Sequence, residues 1–165
     1  MTTSSHAQGG TTTHEQHRAK TTGLALAVVG ILLFNVSPFL NWVELDDGDD
    51  MRTGYETDSL IPFIAFLGLG LLIALVYASK RASTGQHRGL SLVAMAVGVA
   101  ASIQCLAFAM EPMGGLERGD DLGTDMGPWV GLLAAGLWAI GAGLLSKEVE
   151  GDVRVDTRDR GSARV

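Results

Sequence analysis

Charged side chains are missing from four long stretches of this 165-residue chain, although Asp, Glu, Lys and Arg make up 18% of its residues. The stretches are residues 23–43, 60–78, 90–110 and 128–146. Each is close to the ~20 apolar residues that cross the hydrocarbon core of a bilayer. A soluble helix keeps a polar face, and these blocks have none. The sequence therefore predicts an all-α fold, a bundle of four transmembrane helices.

Ionisable groups at membrane depth are also lacking, because no block contains Asp, Glu, Lys, Arg or His. Proton relays, ion-coupled transporters and voltage sensors place such groups within the membrane. The single cysteine, Cys105, lies inside the third block, so no intrachain disulfide can form and its thiol is expected to be inert. No phosphate loop, nucleotide fingerprint or metal motif with the required spacing is present. We therefore expect no enzymatic activity, no cofactor and no substrate translocation by one chain alone.

The polar residues divide the chain into three parts. Residues 1–22 are rich in Thr, Ser and Gly, and residues 147–165 carry charges of both signs, so both tails are predicted to be disordered. Because the C-terminal arginines alternate with acids, they form no basic patch for nucleic acid. The membrane domain is predicted at 23–146, and its loops at 44–59 and 111–127 hold seven and five carboxylates against one arginine each.

The positions of Lys and Arg predict the orientation in the membrane. Ten of the twelve lie in the two tails and in the middle loop, residues 79–89; the others are Arg52 and Arg118 in the acidic loops. By the positive-inside rule, both termini are cytoplasmic (N-in/C-in) and the acidic loops lie outside the plasma membrane. Trp42 and Trp129 would then both lie at the outer interface, where Trp is enriched.

Small residues recur at every fourth position in three of the predicted spans. Such spacing lets helix backbones approach closely in lipid, where no hydrophobic force drives helices together. Gly and Ala are abundant here, so some of these stripes arise by chance, and the four-membered stripe of the fourth span is the most informative. The predicted packing residues are Gly70 and Ala74, then Ala94, Gly98 and Ser102, then Gly131, Ala135, Ala139 and Gly143.

Two amides, Asn35 and Gln104, are the buried polar residues expected within the spans. They lie six to eight residues from the outer ends of their spans, so their depths differ by only about 3 Å. An unpaired amide in hydrocarbon costs several kcal/mol, roughly, so each needs a hydrogen-bond partner. Pairing with each other is one solution that the depths allow. A structural contact is favoured over a ligand site.

The acidic loops are the only place where a cation site is a candidate. Ca²⁺ prefers six or more oxygen ligands, which two loops on one side of a bundle could supply. The run Asp-Asp-Gly-Asp-Asp, however, lacks the alternating spacing and terminal Glu of an EF-hand loop. A solvated acidic surface that keeps the loops outside fits this spacing better, so no metal is predicted. The candidate ligands are Asp46, Asp47, Asp49, Asp50, Asp120, Asp121 and Asp125.

With Ser-Pro-Phe-Leu-Asn-Trp closing the first span, Gly-Pro-Trp opening the fourth and helices rich in Gly and Ala, the chain resembles the small four-span membrane proteins common in actinobacteria and their phages. The resemblance implies a plasma-membrane location and assigns no functional residue. We expect a non-enzymatic accessory protein that contacts a membrane-protein partner or further copies of itself. The alternatives are a pore-forming or permeability-altering oligomer of the holin or channel type, and a phage-type exclusion or defence protein.

Overall fold

A computed structural model describes residues 12–45, 51–57, 59–81, 84–112 and 122–162. Most of these residues are helical, and four of the elements are long helices. The elements are α1 (Thr12–Val36), a 3-10 turn (Ser37–Phe39), β1 (Asn41–Leu45), β2 (Met51–Thr53), α2 (Ile61–Arg81), α3 (Thr84–Met110), β3 (Leu122–Thr124) and α4 (Met126–Ser162).

All four helices are long and apolar enough to cross a membrane, as predicted, but the first ends at Val36, and residues 41–43 of the predicted span 23–43 form part of β1. Their apolar windows are Thr22–Phe39, Ile61–Ser79, Gly85–Met110 and Met126–Lys147. Helical backbone continues beyond these windows, to Thr12 at one terminus and to Ser162 at the other. Disorder is predicted there from composition, and the side chains of these extensions lie outside the described part of the chain.

Prolines and side-chain hydrogen bonds define the helix ends that face the loops. α1 ends at Val36, two residues before Pro38, and the Ser37 hydroxyl donates to the Phe34 carbonyl at 2.9 Å. This bond satisfies one of the carbonyls that a helix C-terminus leaves without a partner. Pro62 and Pro128 lie in the first turns of α2 and α4, where a missing N–H costs no helical bond.

A three-stranded antiparallel sheet joins the two loops at one end of the bundle. The sequence did not predict this sheet. The strand order is β2-β1-β3. β1 pairs with β2 through Glu44 and Met51, and with β3 through Glu44 and Gly123. We call residues 41–45, 51–57 and 122–125 the cap. The all-α prediction therefore describes the spanning helices, and the cap adds β-structure to it.

The core of the bundle is centred on α4, which has its most extensive contacts with α1 and α3. α2 contacts its neighbours much less. The Trp138 side chain of α4 is fully buried, and its ring meets the Phe34 ring edge-on, with centroids 6.0 Å apart. α1, α3 and α4 therefore form a tightly packed unit, and α2 lies at its side.

Candidate functional site

Two neighbouring side chains of β1, Trp42 and Val43, are fully buried, and Trp42 attaches the cap to the helices. Its indole Nε1 donates a hydrogen bond to the Ser37 carbonyl at 2.7 Å. Its ring meets the Phe108 ring of α3 edge-on, with centroids 5.2 Å apart. Trp42 therefore does not face the lipid headgroups as a belt residue would, because its ring is buried and its N–H finds a partner inside the protein. Trp129, at the same end of the bundle, is 51% exposed, as a belt residue would be.

Three glycines, one in the turn after β2 and two in α4, surround the Trp42 indole. A Cβ added to Gly54, in the turn after β2, would lie 2.9 Å from the indole Nε1. One added to Gly127, at the start of α4, would lie 2.7 Å from the Asn41 carbonyl and would also collide with the indole. One added to Gly131 would lie 3.4 Å from Cζ2. The absence of side chains at these positions thus lets the sheet rest directly on the helices.

Backbone and hydroxyl hydrogen bonds fix β3 in the cap. The Thr124 hydroxyl donates to the Ala109 carbonyl of α3 at 3.2 Å, and the Asp125 N–H donates to the Trp42 carbonyl at 3.4 Å. The Asp125 carboxylate in turn accepts from the Met126 N–H at 2.7 Å. A carboxylate at this position is favourable for the N-terminus of α4, whose dipole attracts negative charge.

Asp125 is the one cation candidate that falls within the described residues, and it belongs to the start of α4. The other candidates, Asp46, Asp47, Asp49, Asp50, Asp120 and Asp121, lie outside the described residues. Across the ranges that the structure describes, no three His, Cys, Asp or Glu side chains are grouped as a metal site requires. Within the described residues, Asp125 therefore belongs to no such group.

The turn after β2 is ordered by its own side chains. The Glu56 carboxylate accepts from the Thr53 N–H at 2.8 Å and from the Thr53 hydroxyl at 2.9 Å. These bonds favour the ionised form, so the pKa of Glu56 is lowered, chiefly by the backbone N–H and then by the hydroxyl. The Thr57 hydroxyl donates to the Gly54 carbonyl at 3.0 Å. The turn therefore has a defined shape on the surface of the cap.

An exposed aromatic pair lies beside this turn. The rings of Phe39, in the 3-10 turn after α1, and Tyr55 have centroids 4.9 Å apart and planes inclined by 55°. The Cβ position of Gly54 is 2.9 Å from the Pro38 Cα, so the two chain segments that carry these rings are in direct contact. The pair thus connects the end of the first span to the cap.

The predicted small-residue stripes of α3 and α4 face each other. A Cβ added to Gly98 would lie 2.9 Å from the Ala139 backbone nitrogen, and one added to Gly143 would lie 3.2 Å from the Met95 sulfur. Ala94 and Ala135 are fully buried, Gly131 faces the Cys105 sulfur, and the Ser102 hydroxyl donates to the Gly98 carbonyl at 2.9 Å. These residues allow α3 and α4 to approach closely.

The stripe predicted on α2 is placed differently. Gly70 is exposed, and no described atom outside its own helix lies within 4 Å of its Cβ position, while Ala74 is half-buried. Gly68 is the glycine that faces the bundle, with its Cβ position 3.2 Å from the Trp138 ring. The structure therefore does not bring Gly70 into a helix contact.

Sequence reasoning missed the close contact between α1 and α4. A Cβ added to Gly23 would lie 2.8 Å from the Leu145 nitrogen, and one added to Gly141 would lie 2.9 Å from the Ala27 Cα. Gly30 meets the α4 backbone in the same way. The signal was present in the first span, because Gly23, Ala27 and Gly30 recur at spacings of four and three residues and so share one helix face.

The two amides do not bond to each other. The Asn35 Nδ2 donates to the Ile31 carbonyl of its own helix at 2.9 Å. Gln104 of α3 is half-buried, and no bond between the two side chains is found although both are described. Because the carbonyl four residues back is always within reach in a helix, the local bond replaces the predicted cross-helix one.

The four helices of spanning length indicate a helical membrane protein, with a small β-sheet at one end. No protein-family model, curated protein or solved structure matches the chain. The cap and the packing of the helices are therefore the features from which a function can be inferred.

Proposed function

We propose that the protein is a non-enzymatic accessory protein of the plasma membrane that presents the cap to a membrane-protein partner. The observation that carries this proposal is the pairing of β1 with both β2 and β3. This pairing turns two loops that are distant in sequence into one surface. The buried Trp42 holds that surface on the helices, so a partner would meet a preorganised site and lose little entropy on binding.

The packing of the helices favours the accessory role over the pore-forming alternative. Trp138 and Phe34 fill the centre of the bundle, and Ile31 and Leu75 are fully buried with them. The backbones of α1 and α4 touch. The centre of the described helices is thus filled with apolar side chains, where we would expect a polar lining in a channel, so a pore would have to form between several copies.

The orientation that we propose is N-in/C-in, with the cap outside the cell. It rests on the excess of Lys and Arg in the tails and the middle loop. The test uses cysteines in place of Gly123, exposed on β3, and Gly85, exposed at the opposite end, in a Cys105→Ala background. An impermeant thiol reagent should label only Gly123→Cys in intact cells. Labelling of Gly85→Cys alone would reverse the orientation.

The proposed role is tested by photo-cross-linking in the native membrane. A photoreactive residue replaces Glu44, exposed on β1, and in a control it replaces Leu133, exposed on the apolar face of α4. We expect a discrete protein adduct from position 44 and none from position 133. Adding Gly127→Val, which removes the space for Trp42, should abolish the adduct while the protein stays in the membrane.

Two results would overturn the accessory role. One is equal cross-linking from positions 44 and 133, which would mean that the cap has no partner of its own. The other is a prompt collapse of membrane potential when the protein is induced, which would favour a pore. A voltage-sensitive dye measures the second, and an induced unrelated membrane protein of similar level is its control.

A further inference from the structure

We propose that the Phe39–Tyr55 pair seats the cap in the interfacial layer of the bilayer, with Phe39 at the ends of the acyl chains and Tyr55 among the lipid headgroups. The surface formed by these two rings is 67% exposed at Phe39 and 41% exposed at Tyr55. The partner that this surface fits is therefore the lipid itself, at the α1 and α2 side of the cap.

The position of Phe39 along the first span supports this assignment. The apolar window of α1 ends at Phe39, which places the ring where the hydrocarbon ends. Leu32 and Val36 are exposed one turn apart on α1, and Phe39 is exposed in the 3-10 turn that follows. Exposed apolar side chains therefore continue from the last turns of α1 to Phe39.

The chemistry of the two rings fits their order along this surface. Leaving the Phe39 ring in water would cost about 25 cal/mol for each Å² of exposed apolar area, and phenylalanine has no polar group to offset that cost. Tyr55 has an apolar ring and a hydroxyl, the combination that is enriched at membrane interfaces. Trp129, near the start of α4 at the same end of the bundle, is also exposed, so exposed aromatic side chains recur at this end.

The residue that follows Tyr55 is compatible with this location. Glu56 carries a charge, but its carboxylate is held by the Thr53 N–H and hydroxyl within the turn. A carboxylate that already accepts two hydrogen bonds loses less on approaching a headgroup layer than a free one does. The turn can therefore rest on the bilayer with its charge satisfied.

Depth measurement by spin labelling tests the proposal in the full chain. A nitroxide is attached at Tyr55→Cys in the Cys105→Ala background, and the protein is placed in phosphatidylcholine–phosphatidylglycerol vesicles. Collision rates with oxygen, which concentrates in hydrocarbon, and with a nickel chelate, which stays in water, are compared. Labels at Leu133→Cys and Glu44→Cys provide the hydrocarbon and water references. We expect the oxygen-to-nickel ratio at position 55 to lie between these two references.

Two outcomes at position 55 would overturn the proposal. A ratio equal to that at Glu44 would place the turn in water. Low collision rates with both reagents would mean that a protein, such as a second copy of this chain, covers the pair.

A second measurement tests the role of the pair with both rings in place. The label is moved to Met51→Cys, exposed on β2, and Phe39 is changed to Glu or, as a control, to Leu. Phe39→Glu should raise the nickel collision rate at position 51 several-fold, because a charge cannot remain at the acyl-chain boundary. Phe39→Leu should leave it unchanged. No difference between the two variants would also overturn the proposal.

Discussion

The backbone of Gly30 in α1 lies directly against the backbone of Trp138 in α4. A Cβ added to Gly30 would lie 2.7 Å from the Trp138 Cα and 2.8 Å from the Ala134 carbonyl oxygen, closer than such atoms approach in proteins. Gly23 and Gly141 make equivalent contacts at other points along the same pair of helices. The first and last helices are thus joined by close backbone packing, which depends on the absence of side chains at these positions.

Gly30→Ala should therefore destabilise the protein. The added methyl group must push α1 and α4 apart, and overpacking of this kind costs about 1–3 kcal/mol. We expect the free energy of unfolding, measured by titration with a denaturing detergent in mixed micelles, to fall by that amount.

Gly136→Ala is the matched control on α4. Nothing in the described chain outside its helix lies within 4 Å of the Gly136 Cβ position. Alanine also favours the helix by up to ~1 kcal/mol relative to glycine, so stability should stay the same or rise slightly. Equal losses at positions 30 and 136 would show that the α1–α4 contact is not the one described above.

Trp42→Phe should weaken the attachment of the cap. The substitution removes the N–H that donates to the Ser37 carbonyl and leaves a cavity beside Gly54 and Gly127. We expect a loss of about 1–3 kcal/mol in unfolding free energy and a reduced near-ultraviolet circular dichroism signal. Trp129→Phe, at an exposed site, should cost less than about 0.5 kcal/mol. Equal losses would contradict the anchoring role of Trp42.

The helices could be predicted from sequence because each contains a long block without charge. That signal can be recognised without knowing which other helices pack against it. The cap could not be predicted in this way. β1 contains Asn41, Trp42 and Val43 and reads as the end of an apolar span, while β2 and β3 have only three residues each. Their pairing depends on the helices bringing residues 41–45 and 122–124 together, which is a tertiary effect.

For the candidate sites, too, the sequence predicted patterns within one helix but not contacts that depend on the tertiary structure. The α3 and α4 stripes could be predicted because their small residues, among them Gly98 and Ala139, occur at every fourth position of the sequence. Spacing could not show that Gly70 faces outward, because that depends on where the other helices lie. Nor could the composition of SPFLNWV distinguish an interfacial Trp42 from a buried one, since only the fold supplies the Ser37 carbonyl that accepts its N–H.

The turn after β2 should respond to acid through Glu56. The pKa of its carboxyl is lowered from the ordinary 4.5, first by the Thr53 N–H and then by the Thr53 hydroxyl. The stabilisation of the turn is therefore fully present above pH 4.5 and is lost as the pH falls through the lower, folded pKa. Titration of the Glu56 ¹³Cδ chemical shift in micelles should give a midpoint below 4.5.

Thr53→Val provides the control for that titration. It removes the hydroxyl donor and keeps the backbone N–H, so the midpoint for Glu56 should rise only part of the way towards 4.5. A midpoint that does not move in this variant would mean that the Thr53 hydroxyl does not hold the carboxylate in solution.

A disulfide should form between cysteines that replace Glu44 and Gly123 in the Cys105→Ala background. These positions face each other across β1 and β3, and a Cβ at Gly123 would lie 3.6 Å from the Glu44 Cβ. That separation falls within the ~3.5–4.5 Å that a disulfide requires. We expect rapid oxidation by copper-phenanthroline, measured as loss of the two free thiols in a maleimide–polyethylene glycol gel-shift assay.

The control pair for this cross-link is Met51→Cys with Gly123→Cys. Met51 pairs with Glu44 from the other side, so it lies two strand spacings from Gly123, about 9–10 Å, and should oxidise far more slowly. Equal oxidation of the two pairs would mean that the loops move independently of each other. The two loops would then form no common surface, and the observation that carries the proposed function would be lost, whereas the packing of α1 against α4 would be unaffected.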